Sequence, residues 1–363
     1  MGGYKESVVF PNLTPLRFFL ALLVILFHVH EFCKNRGFPY FDAWPILVKG
    51  TESVYAFFTL SGFLIIQGLY REKEQTGGIS LRTFFVKRAF RILPLYYLVL
   101  CFGFVYYRLI LPRLGFNTDN SYNLIEGILL SATLFANIFA NYGPGGIIEI
   151  LWSIAIEEQF YVFIAPVLSL LTVRKYRLFL FSFSIVYLLI YFYGPFDFFR
   201  DNQMLFFYFT AGGLAAILLN NHNFRAFLRR IRWGLYLGII LYFFTFFFSN
   251  TMSAPLFHLS GMLLIPLFIA SLVMFPFRML EYRILYALGN ISYGMYMLHP
   301  IVMQFVGFLF LKEIIPVTGT LFSIVLFNLL VVSFTILAAF ISKRYFEGYF
   351  MKIRDKILMK NKL

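Results

Sequence analysis

An arginine and a histidine bracket an apolar run near the start of the sequence. The stretch RFFLALLVILFH places Arg17 and His28 eleven positions apart, with ten apolar residues between them. Eleven residues make almost three helical turns, so the two side chains lie nearly on one face, about 16 Å apart along the axis. That distance is about half of the hydrocarbon thickness of a bilayer. The pair could therefore contact two ends of one elongated molecule.

Each member of this pair has a structural alternative. Arg17 could extend to a membrane interface, and His28 could hydrogen-bond a neighbouring helix. An ionisable side chain inside a membrane helix costs about 2.5–3.5 kcal/mol on insertion scales, which makes it a candidate for function. His28 lies several residues from the end of the predicted helix, so the functional interpretation is favoured for His28, while both interpretations stay open for Arg17.

A second basic pair lies in the stretch FFVKRAFRILPLYY. Arg88 and Arg91 are three positions apart and share one helix face just before an apolar segment. They could be ordinary cytoplasmic anchors of a membrane helix. They could equally bind phosphate, because the arginine fork matches phosphate oxygens in a bidentate way.

Acidic and amide side chains interrupt the stretch LWSIAIEEQFYVFIAP. Ser153, Glu157 and Tyr161 follow a spacing of four and predict one polar stripe on a helix. Adjacent helix positions point about 100° apart, so Glu158 and Gln159 face other directions. Adjacent carboxylates in the middle of a membrane span are costly in free energy and have no evident packing role, so we interpret this stripe as functional.

A further polar stripe is predicted in NISYGMYMLHP. Ser292, Tyr296 and His299 recur at helical spacing and line one face. A structural hydrogen-bonding role is an equal alternative here. The stretch FFTLSGFLI instead carries a Ser61–Gly62 pair that predicts close helix packing.

The composition identifies a polytopic membrane protein. Of 363 residues, 60% are hydrophobic and only 13% are charged, and the mean hydropathy is +0.78. The net charge of +14 comes from short basic clusters between apolar segments, a distribution that fits loops on anionic lipid rather than a nucleic-acid site. Membrane lipid is therefore expected as a partner, and nucleic acid is not. The two cysteines show no metal-ligand spacing, so no metal is expected either.

Ten apolar segments near the spanning length predict an all-α membrane protein with ten transmembrane helices. Basic residues concentrate in the 71–91 loop, at 174–177, at 225–232 and in a short basic tail, 343–363. Ten spans place all four clusters on the side of the N-terminus, so both termini are predicted to be cytoplasmic and the first helix to be retained. The whole chain, 1–363, is then one integral-membrane domain. The segments are 13–32, 48–70, 91–111, 147–171, 178–194, 203–220, 233–250, 256–275, 284–311 and 319–342.

An eleventh apolar segment, 122–141, is interrupted by Asn123, Glu126, Asn137 and Asn141. If it spanned, the second and third basic clusters would be exported. It is therefore predicted to be re-entrant or interfacial on the outer side.

Five stretches in their order along the chain resemble the signature blocks of the membrane-bound acyltransferase-3 family: LRFFLALLVILFH, FFTLSGFLI, KRAFRILPLYY, LWSIAIEEQFY and ISYGMYMLH. The resemblance implies a ten-helix enzyme that transfers an acyl group, usually acetyl, from cytoplasmic acyl-coenzyme A to extracytoplasmic carbohydrate. It maps the family's Arg-x10-His pair onto Arg17 and His28 and its Arg-x-x-Arg pair onto Arg88 and Arg91. The family's acidic position falls on Glu157.

The resemblance also implies roles for these residues. The arginines bind the phosphates of the donor, His28 acts as general base toward a sugar hydroxyl, and Glu157 orients His28. Ser153, Glu158, Gln159, Tyr161, Ser292, Tyr296 and His299 are expected to contact substrate or to support the residues that do. An acyl-histidine intermediate is an alternative to direct transfer.

Other assignments stay open at the level of sequence. Some relatives carry a further extracytoplasmic hydrolase-like domain, and its absence here favours direct transfer or a separate extracytoplasmic partner. A transporter for a lipid-linked sugar or polysaccharide would use similar polar residues, although no two-fold hydropathy repeat is visible. The expected location is the bacterial cytoplasmic membrane, and the acceptor glycan is undetermined.

Overall fold

Regular structure in the described part of the chain is entirely helical, which confirms the predicted all-α class. The computed structural model describes residue 10 and residues 12–41, 44–116, 121–311 and 320–360. The helices are α1 Leu13–Asn35, α2 Gly50–Thr76, α3 Leu81–Val105, α4 Leu124–Ala132, α5 Ala136–Ala140, α6 Gly146–Glu149, α7 Leu151–Leu170, α8 Tyr176–Tyr193, α9 Asp197–Asp201, α10 Phe206–Leu218, α11 His222–Phe244, α12 Phe247–Thr251, α13 Ala254–Met274, α14 Arg283–Asn290, α15 Ser292–Leu311, α16 Thr320–Ile341 and α17 Gly348–Lys360.

Seven helical segments in the described ranges are long and apolar enough to cross a membrane. Each falls on one of the predicted apolar segments, so the assignment to a membrane protein rests on both sequence and structure. The seven are Leu13–Asn35, Gly50–Thr76, Leu81–Arg113, Val173–Tyr193, Ala254–Met274, Ser292–Leu311 and Leu321–Met359.

The three other predicted spans are helical but lie outside this set, for reasons visible in their sequences. Helix α7 carries two glutamates and a glutamine in its middle. Helix α10 has 13 residues and is about 20 Å long, short of the hydrocarbon thickness. Helix α11 has four arginines in its first half. The total of ten spans and the position of the termini therefore stay predictions.

The segment 122–141 contains two short helices rather than one long one. Helix α4 has nine residues and α5 has five, so neither reaches across a bilayer. The side chain of Asn123 accepts hydrogen bonds from two backbone amides and begins α4. Of the polar residues that marked this segment in the sequence, Asn123 and Asn141 lie at helix ends, and Glu126 and Asn137 lie within the helices.

Helix α2 is the most buried of the seven spanning segments and packs most extensively against α10. The contact is close because glycines face backbone on both sides. A Cβ atom on Gly62 would lie 1.9 Å from the carbonyl oxygen of Phe209, and one on Gly212 would lie 2.0 Å from that of Thr59. The close packing predicted for the Ser61–Gly62 pair is therefore confirmed.

Gly62→Ala is expected to destabilise the protein strongly, because the new methyl group overlaps a backbone carbonyl that no rotamer change can move. Gly68→Ala is the matched control on the same helix, since a Cβ there meets nothing within 4 Å. Thermal unfolding of the detergent-purified variants measures the difference. A Gly62→Ala protein as stable as Gly68→Ala would contradict this packing.

A lysine of α2 fixes the end of α7. Nζ of Lys73 donates hydrogen bonds to the carbonyl oxygens of Leu168 at 3.0 Å, Ser169 at 2.6 Å and Leu171 at 2.5 Å. A cation here satisfies the free carbonyls and the negative dipole of a helix C-terminus. The helix that carries the paired glutamates is thereby anchored to the centre of the bundle.

The C-terminal region extends α16 rather than leaving it. Residues 342–347 form a π-turn, and α17 continues to Lys360 and packs on α3. Glu347 is buried and pairs with Lys343 at 3.1 Å. The predicted tail, 343–363, is therefore helical where it is described, and residues 361–363 lie outside the described part.

Helix α1 connects the regions where the candidate residues lie. It packs against α2 on one side and α14 and α15 on another. Because Arg17 and His28 are three turns apart on this one helix, α1 sets the separation between their two environments.

Candidate active site

Three arginines from two helices meet in one cluster. Arg17 of α1 and Arg88 and Arg91 of α3 are each half-buried and interact electrostatically with one another. The Arg88 guanidinium lies 5.6 Å from the ring centre of Tyr161. The Nε atom of Arg17 has no hydrogen-bond partner among the described residues. The structure thus brings Arg17 together with the predicted pair Arg88 and Arg91 and leaves the Nε donor of Arg17 unpaired.

Glu157 supplies a negative charge beside this cluster. Its Oε1 atom accepts a hydrogen bond of 2.5 Å from Ser61 and another from the Tyr161 hydroxyl. The carboxylate also interacts electrostatically with Arg17 and Arg91. Glu158 also interacts electrostatically with Arg88. Even with both carboxylates ionised, three arginines face two negative charges, so the cluster keeps an excess of positive charge for an anion.

This position changes the role expected for Glu157. The sequence-based hypothesis placed Glu157 beside His28 as the group that orients the imidazole. The carboxylate instead lies with Arg17, which is about 16 Å from His28 along α1. The hydrogen bonds of Glu157 go to Ser61 and Tyr161, and none joins Glu157 to His28 among the described residues. The error came from assigning depth in the membrane by counting residues along separate helices.

Ser61 is a residue that the sequence analysis missed. Its Ser-Gly pair was interpreted as a packing motif, and the glycine does pack as expected. The serine hydroxyl, however, points to Glu157. A polar residue beside a packing glycine in a buried helix was the signal that could have identified it.

A cavity of about 60 Å³ lies next to the arginine cluster. It joins four helices, α1, α2, α7 and α15, and has room for a few water molecules. Its polar lining comes from four residues of the two predicted stripes, from the arginine and serine described above, and from Tyr293, which the stripes did not include: Arg17, Ser61, Ser153, Glu157, Ser292, Tyr293 and Tyr296. We call this space the inner cavity.

A hydrogen-bonded tyrosine closes the inner cavity. The hydroxyl groups of Tyr296 and Ser153 are 2.6 Å apart, and the Tyr296 hydroxyl also donates to the carbonyl oxygen of Ile150 at 3.1 Å. The two polar stripes predicted separately on α7 and α15 therefore meet at this point.

His28 lines a second space, the outer pocket, on the other side of the first turn of α7. The pocket has a volume of about 240 Å³ and a lining rich in amides. Its polar and aromatic members, apart from His28, are Asn137, Asn141, Glu149, Trp152, Asn202 and Gln203. The sequence analysis identified only His28 as a site residue here. Asn137 and Asn141 had been noted only as interruptions of the segment 122–141.

Hydrogen bonds between amides hold the outer pocket in shape. Gln159 donates to Oδ1 of Asn137 at 2.8 Å, and Asn137 donates to the carbonyl oxygen of Asn202 at 3.0 Å. Asn141 bonds the Asn202 side chain at 3.1 Å. Gln203 adopts a φ of 52°, a strained backbone conformation for a residue other than glycine. The predicted site residue Gln159 therefore supports the pocket through Asn137.

The two candidate histidines lie side by side. The ring centres of His28 and His299 are 4.9 Å apart. Nδ1 of His28 lies 2.9 Å from the carbonyl oxygen of Val24, and Nδ1 of His299 lies 2.6 Å from that of Tyr296. Because a carbonyl oxygen only accepts, both Nδ1 atoms carry the proton in the neutral rings. Nε2 is then the basic atom of each ring.

Glu158 is set apart from both spaces. It is buried and faces away from the inner cavity, and its Oε1 atom has no hydrogen-bond partner in the described part of the chain. Among these described residues no group of three or more potential ligands could hold a metal ion.

A model of the acyltransferase-3 family, described as an acyltransferase domain, matches residues 11–343. A Staphylococcus aureus (strain COL) protein named "Putative O-acetyltransferase" is 30% identical over 186 residues, 47% of this chain and 27% of the relative. A Listeria monocytogenes protein named "Peptidoglycan O-acetyltransferase OatA" is 27% identical over 165 residues, 44% of this chain and 24% of the relative.

A Bacillus subtilis (strain 168) protein named "Putative peptidoglycan O-acetyltransferase YrhL" is 31% identical over 156 residues, 42% of this chain and 22% of the relative. The chain therefore aligns with about a quarter of the length of the curated relatives it matches. No solved structure matches it. Because the family model covers nearly all of the chain, with the arginine cluster and both histidines inside the match, the chain belongs to the acyltransferase-3 family.

Proposed function

We propose that this protein is a membrane O-acyltransferase that moves an acyl group from cytoplasmic acyl-coenzyme A to a hydroxyl group of an extracytoplasmic carbohydrate. The observation that carries the proposal is the arrangement on α1. One end of this helix contributes to a cluster of three arginines, and the other contributes a histidine to an amide-lined pocket.

The arginine cluster suits the phosphates of the donor. Three guanidinium groups face two carboxylates at most, and the free Nε of Arg17 is available to an anion. Arginine binds phosphate oxygens in a bidentate geometry and stays charged when partly buried. The half-buried position of all three side chains leaves them reachable from one end of the bundle.

The distance along α1 suits the length of the donor. The pantetheine arm of coenzyme A is about 15–20 Å long, comparable with the rise of about 16 Å between Arg17 and His28. With its phosphates on the arginines, the donor presents its thioester near His28. The inner cavity lies along this path, and Tyr296 and Ser153 must separate to admit the arm.

The outer pocket suits an uncharged, hydroxyl-rich acceptor. Its amide side chains offer both donors and acceptors, and Trp152 offers an aromatic surface for a sugar ring. Nε2 of His28 takes the proton of the acceptor hydroxyl, whose oxygen attacks the thioester carbon. The carbon–sulfur bond breaks, and His28 gives the proton to the leaving thiolate. Atoms and charges balance without a covalent enzyme intermediate.

The acceptor that we propose is peptidoglycan or a related surface glycan, and the acyl group is acetyl. Two of the relatives described above carry peptidoglycan O-acetyltransferase in their names. We further propose ten transmembrane helices in a bacterial cytoplasmic membrane, with both termini and the arginine cluster on the cytoplasmic side. Cysteine labelling from each side of intact cells tests that orientation.

Reconstitution into sealed vesicles tests the activity. Vesicles with labelled acetyl-coenzyme A on the arginine side and soluble peptidoglycan fragments on the other should yield O-acetylated glycan on the acceptor side. A transporter of glycan would instead move the fragments without consuming the donor. Absence of both thioester consumption and glycan acetylation would refute the proposed function.

Arg88→Ala and Arg91→Ala are expected to weaken donor binding by about tenfold or more each, because each removes charge-assisted contacts to phosphate. Arg82→Ala is the matched control, since Arg82 is an exposed arginine on the same helix. Isothermal titration of the purified proteins with coenzyme A measures the affinities. Equal affinities in all three variants would show that Arg88 and Arg91 serve only to orient the helix.

A further inference from the structure

No carboxylate is hydrogen-bonded to His28 among the described residues. Glu157, the carboxylate expected beside it, lies with the arginines instead. The nearest ionisable ring is that of His299, whose centre is 4.9 Å away. The other titratable groups that face this pair are Glu31 on α1, Glu149 across the outer pocket and Tyr296 on α15.

His299 is a fully buried histidine with one ring nitrogen unpaired. Its side chain is fully buried, and Nδ1 is satisfied by the carbonyl oxygen of Tyr296. Nε2 has no hydrogen-bond partner among the described residues. A buried acceptor without a donor costs free energy, so its persistence calls for a donor that arrives during function.

We propose that His299 is a positioning residue that acts through His28: its free Nε2 accepts a hydrogen bond from His28 once His28 has taken the proton of the acceptor. This proposal rests on the proposed function for its chemistry and adds the partner that the charged His28 requires. The two rings together hold one additional proton, between the outer pocket and the path of the donor.

The proton balance of the step is simple. The oxygen–hydrogen bond of the acceptor breaks, and the proton moves to Nε2 of His28. A small rotation of the ring then directs this proton toward Nε2 of His299, while the acceptor oxygen forms its bond to the acyl carbon. The thiolate leaves and accepts this proton from the histidine pair, which returns to its neutral state. No oxidant, metal ion or additional base enters the step.

Only one extra proton fits this pair. Two imidazolium rings with centres 4.9 Å apart would repel each other, because His299 is fully buried and His28 is half-buried. Neutral His299 therefore favours charge on His28, because it offers a lone pair and no competing charge. Removing that lone pair makes His28 a weaker base.

Nitrogen-15 histidine NMR of the full chain in nanodiscs tests this inference without any substrate. The chain has five histidines, so single substitutions assign the signal of His28. In His299→Phe, which removes the acceptor and keeps an aromatic ring, the titration midpoint of His28 should fall by about one pH unit, the scale of a hydrogen bond to a charged group. His299→Gln keeps an acceptor oxygen and should restore part of the shift.

His258→Phe is the matched control. His258 is also surrounded by aromatic rings, but those rings belong to another part of the bundle, including Tyr55, Phe192 and Tyr208. Its replacement should leave the midpoint of His28 unchanged. A His28 midpoint that is the same in His299→Phe, His299→Gln and the parent would overturn the proposal. That result would leave the proposed function intact, because vesicle acylation tests the function separately.

Turnover provides the second measurement. His299→Phe should lower the rate of acyl transfer at saturating donor by about tenfold or more. It should leave the affinity for coenzyme A unchanged, because His299 lies beside His28 and not in the arginine cluster. His299→Gln should be intermediate. Equal losses in both variants, with no change in the midpoint of His28, would assign His299 to packing alone.

Discussion

His28→Ala should lose about a hundredfold or more in turnover, the scale usual for a positioned group that transfers a proton. Its affinity for coenzyme A should nevertheless match that of the parent protein. In the proposed complex the phosphates bind the arginine cluster, whose member Arg17 is about 16 Å from His28 along α1, and alanine preserves the helix. Coenzyme A titration and glycan acetylation, both on the same purified preparation, measure the two quantities.

Two further variants of α1 serve as controls for His28→Ala. Arg17→Ala should show the opposite pattern, with weakened donor binding and an intact proton-transfer group. His30→Ala should affect stability rather than turnover, because His30 is buried against Tyr40 and lies outside the outer pocket. Should His28→Ala acetylate glycan at the parental rate, His28 is not the base, and the mechanism fails.

Much of the fold was predictable because an apolar composition over about twenty residues is enough to predict a membrane helix. An apolar run near the bilayer thickness has few alternatives to a helix, and all seven spanning segments fall on predicted runs. The three uncertain spans are those with charges or short lengths, where packing inside the bundle rather than lipid decides the outcome. The thirteen residues of α10, for example, are covered by α2 and α8.

The site was predictable within each helix and not between helices. Spacing of four along α7 and of four along α15 identified the faces that carry Ser153, Glu157 and Tyr296, and these faces do meet. Spacing along one chain carries no information about which level of α7 faces His28. Glu157 was therefore expected beside His28, whereas its neighbours Ser61 and Arg17 emerged only from the packing.

The outer pocket shows a different limit of sequence-based prediction. Its residues come from α5, α6, the start of α7 and the loop after α9, four places separated by up to 66 positions between Asn137 and Gln203. None of these residues is unusual in its local context. Asparagine and glutamine are ordinary at helix ends and in loops, so only their convergence on His28 distinguishes them.

The relocation of Glu157 leads to a prediction that differs from that for an orienting carboxylate. Glu157→Gln keeps the size of the side chain and an oxygen for Ser61, but it removes the Glu157 charge from beside three half-buried arginines. We expect the free energy of unfolding to fall by about 2–3 kcal/mol, as for other losses of a buried charged partner. Thermal and denaturant unfolding in detergent measure this loss.

Coenzyme A should rescue the Glu157→Gln protein, because its phosphates replace the missing negative charge. The stabilisation produced by saturating coenzyme A should therefore be larger in Glu157→Gln than in the parent, while turnover at saturating donor falls less than in His28→Ala. Glu158→Gln is the matched control: it removes the adjacent carboxylate, whose Oε1 has no hydrogen-bond partner among the described residues, and should cost little. If Glu157→Gln unfolds like the parent with and without coenzyme A, Glu157 is not the counter-charge of the arginines. If Glu157→Gln instead loses turnover as severely as His28→Ala at unchanged stability, a conformational change must bring the Glu157 carboxylate to His28.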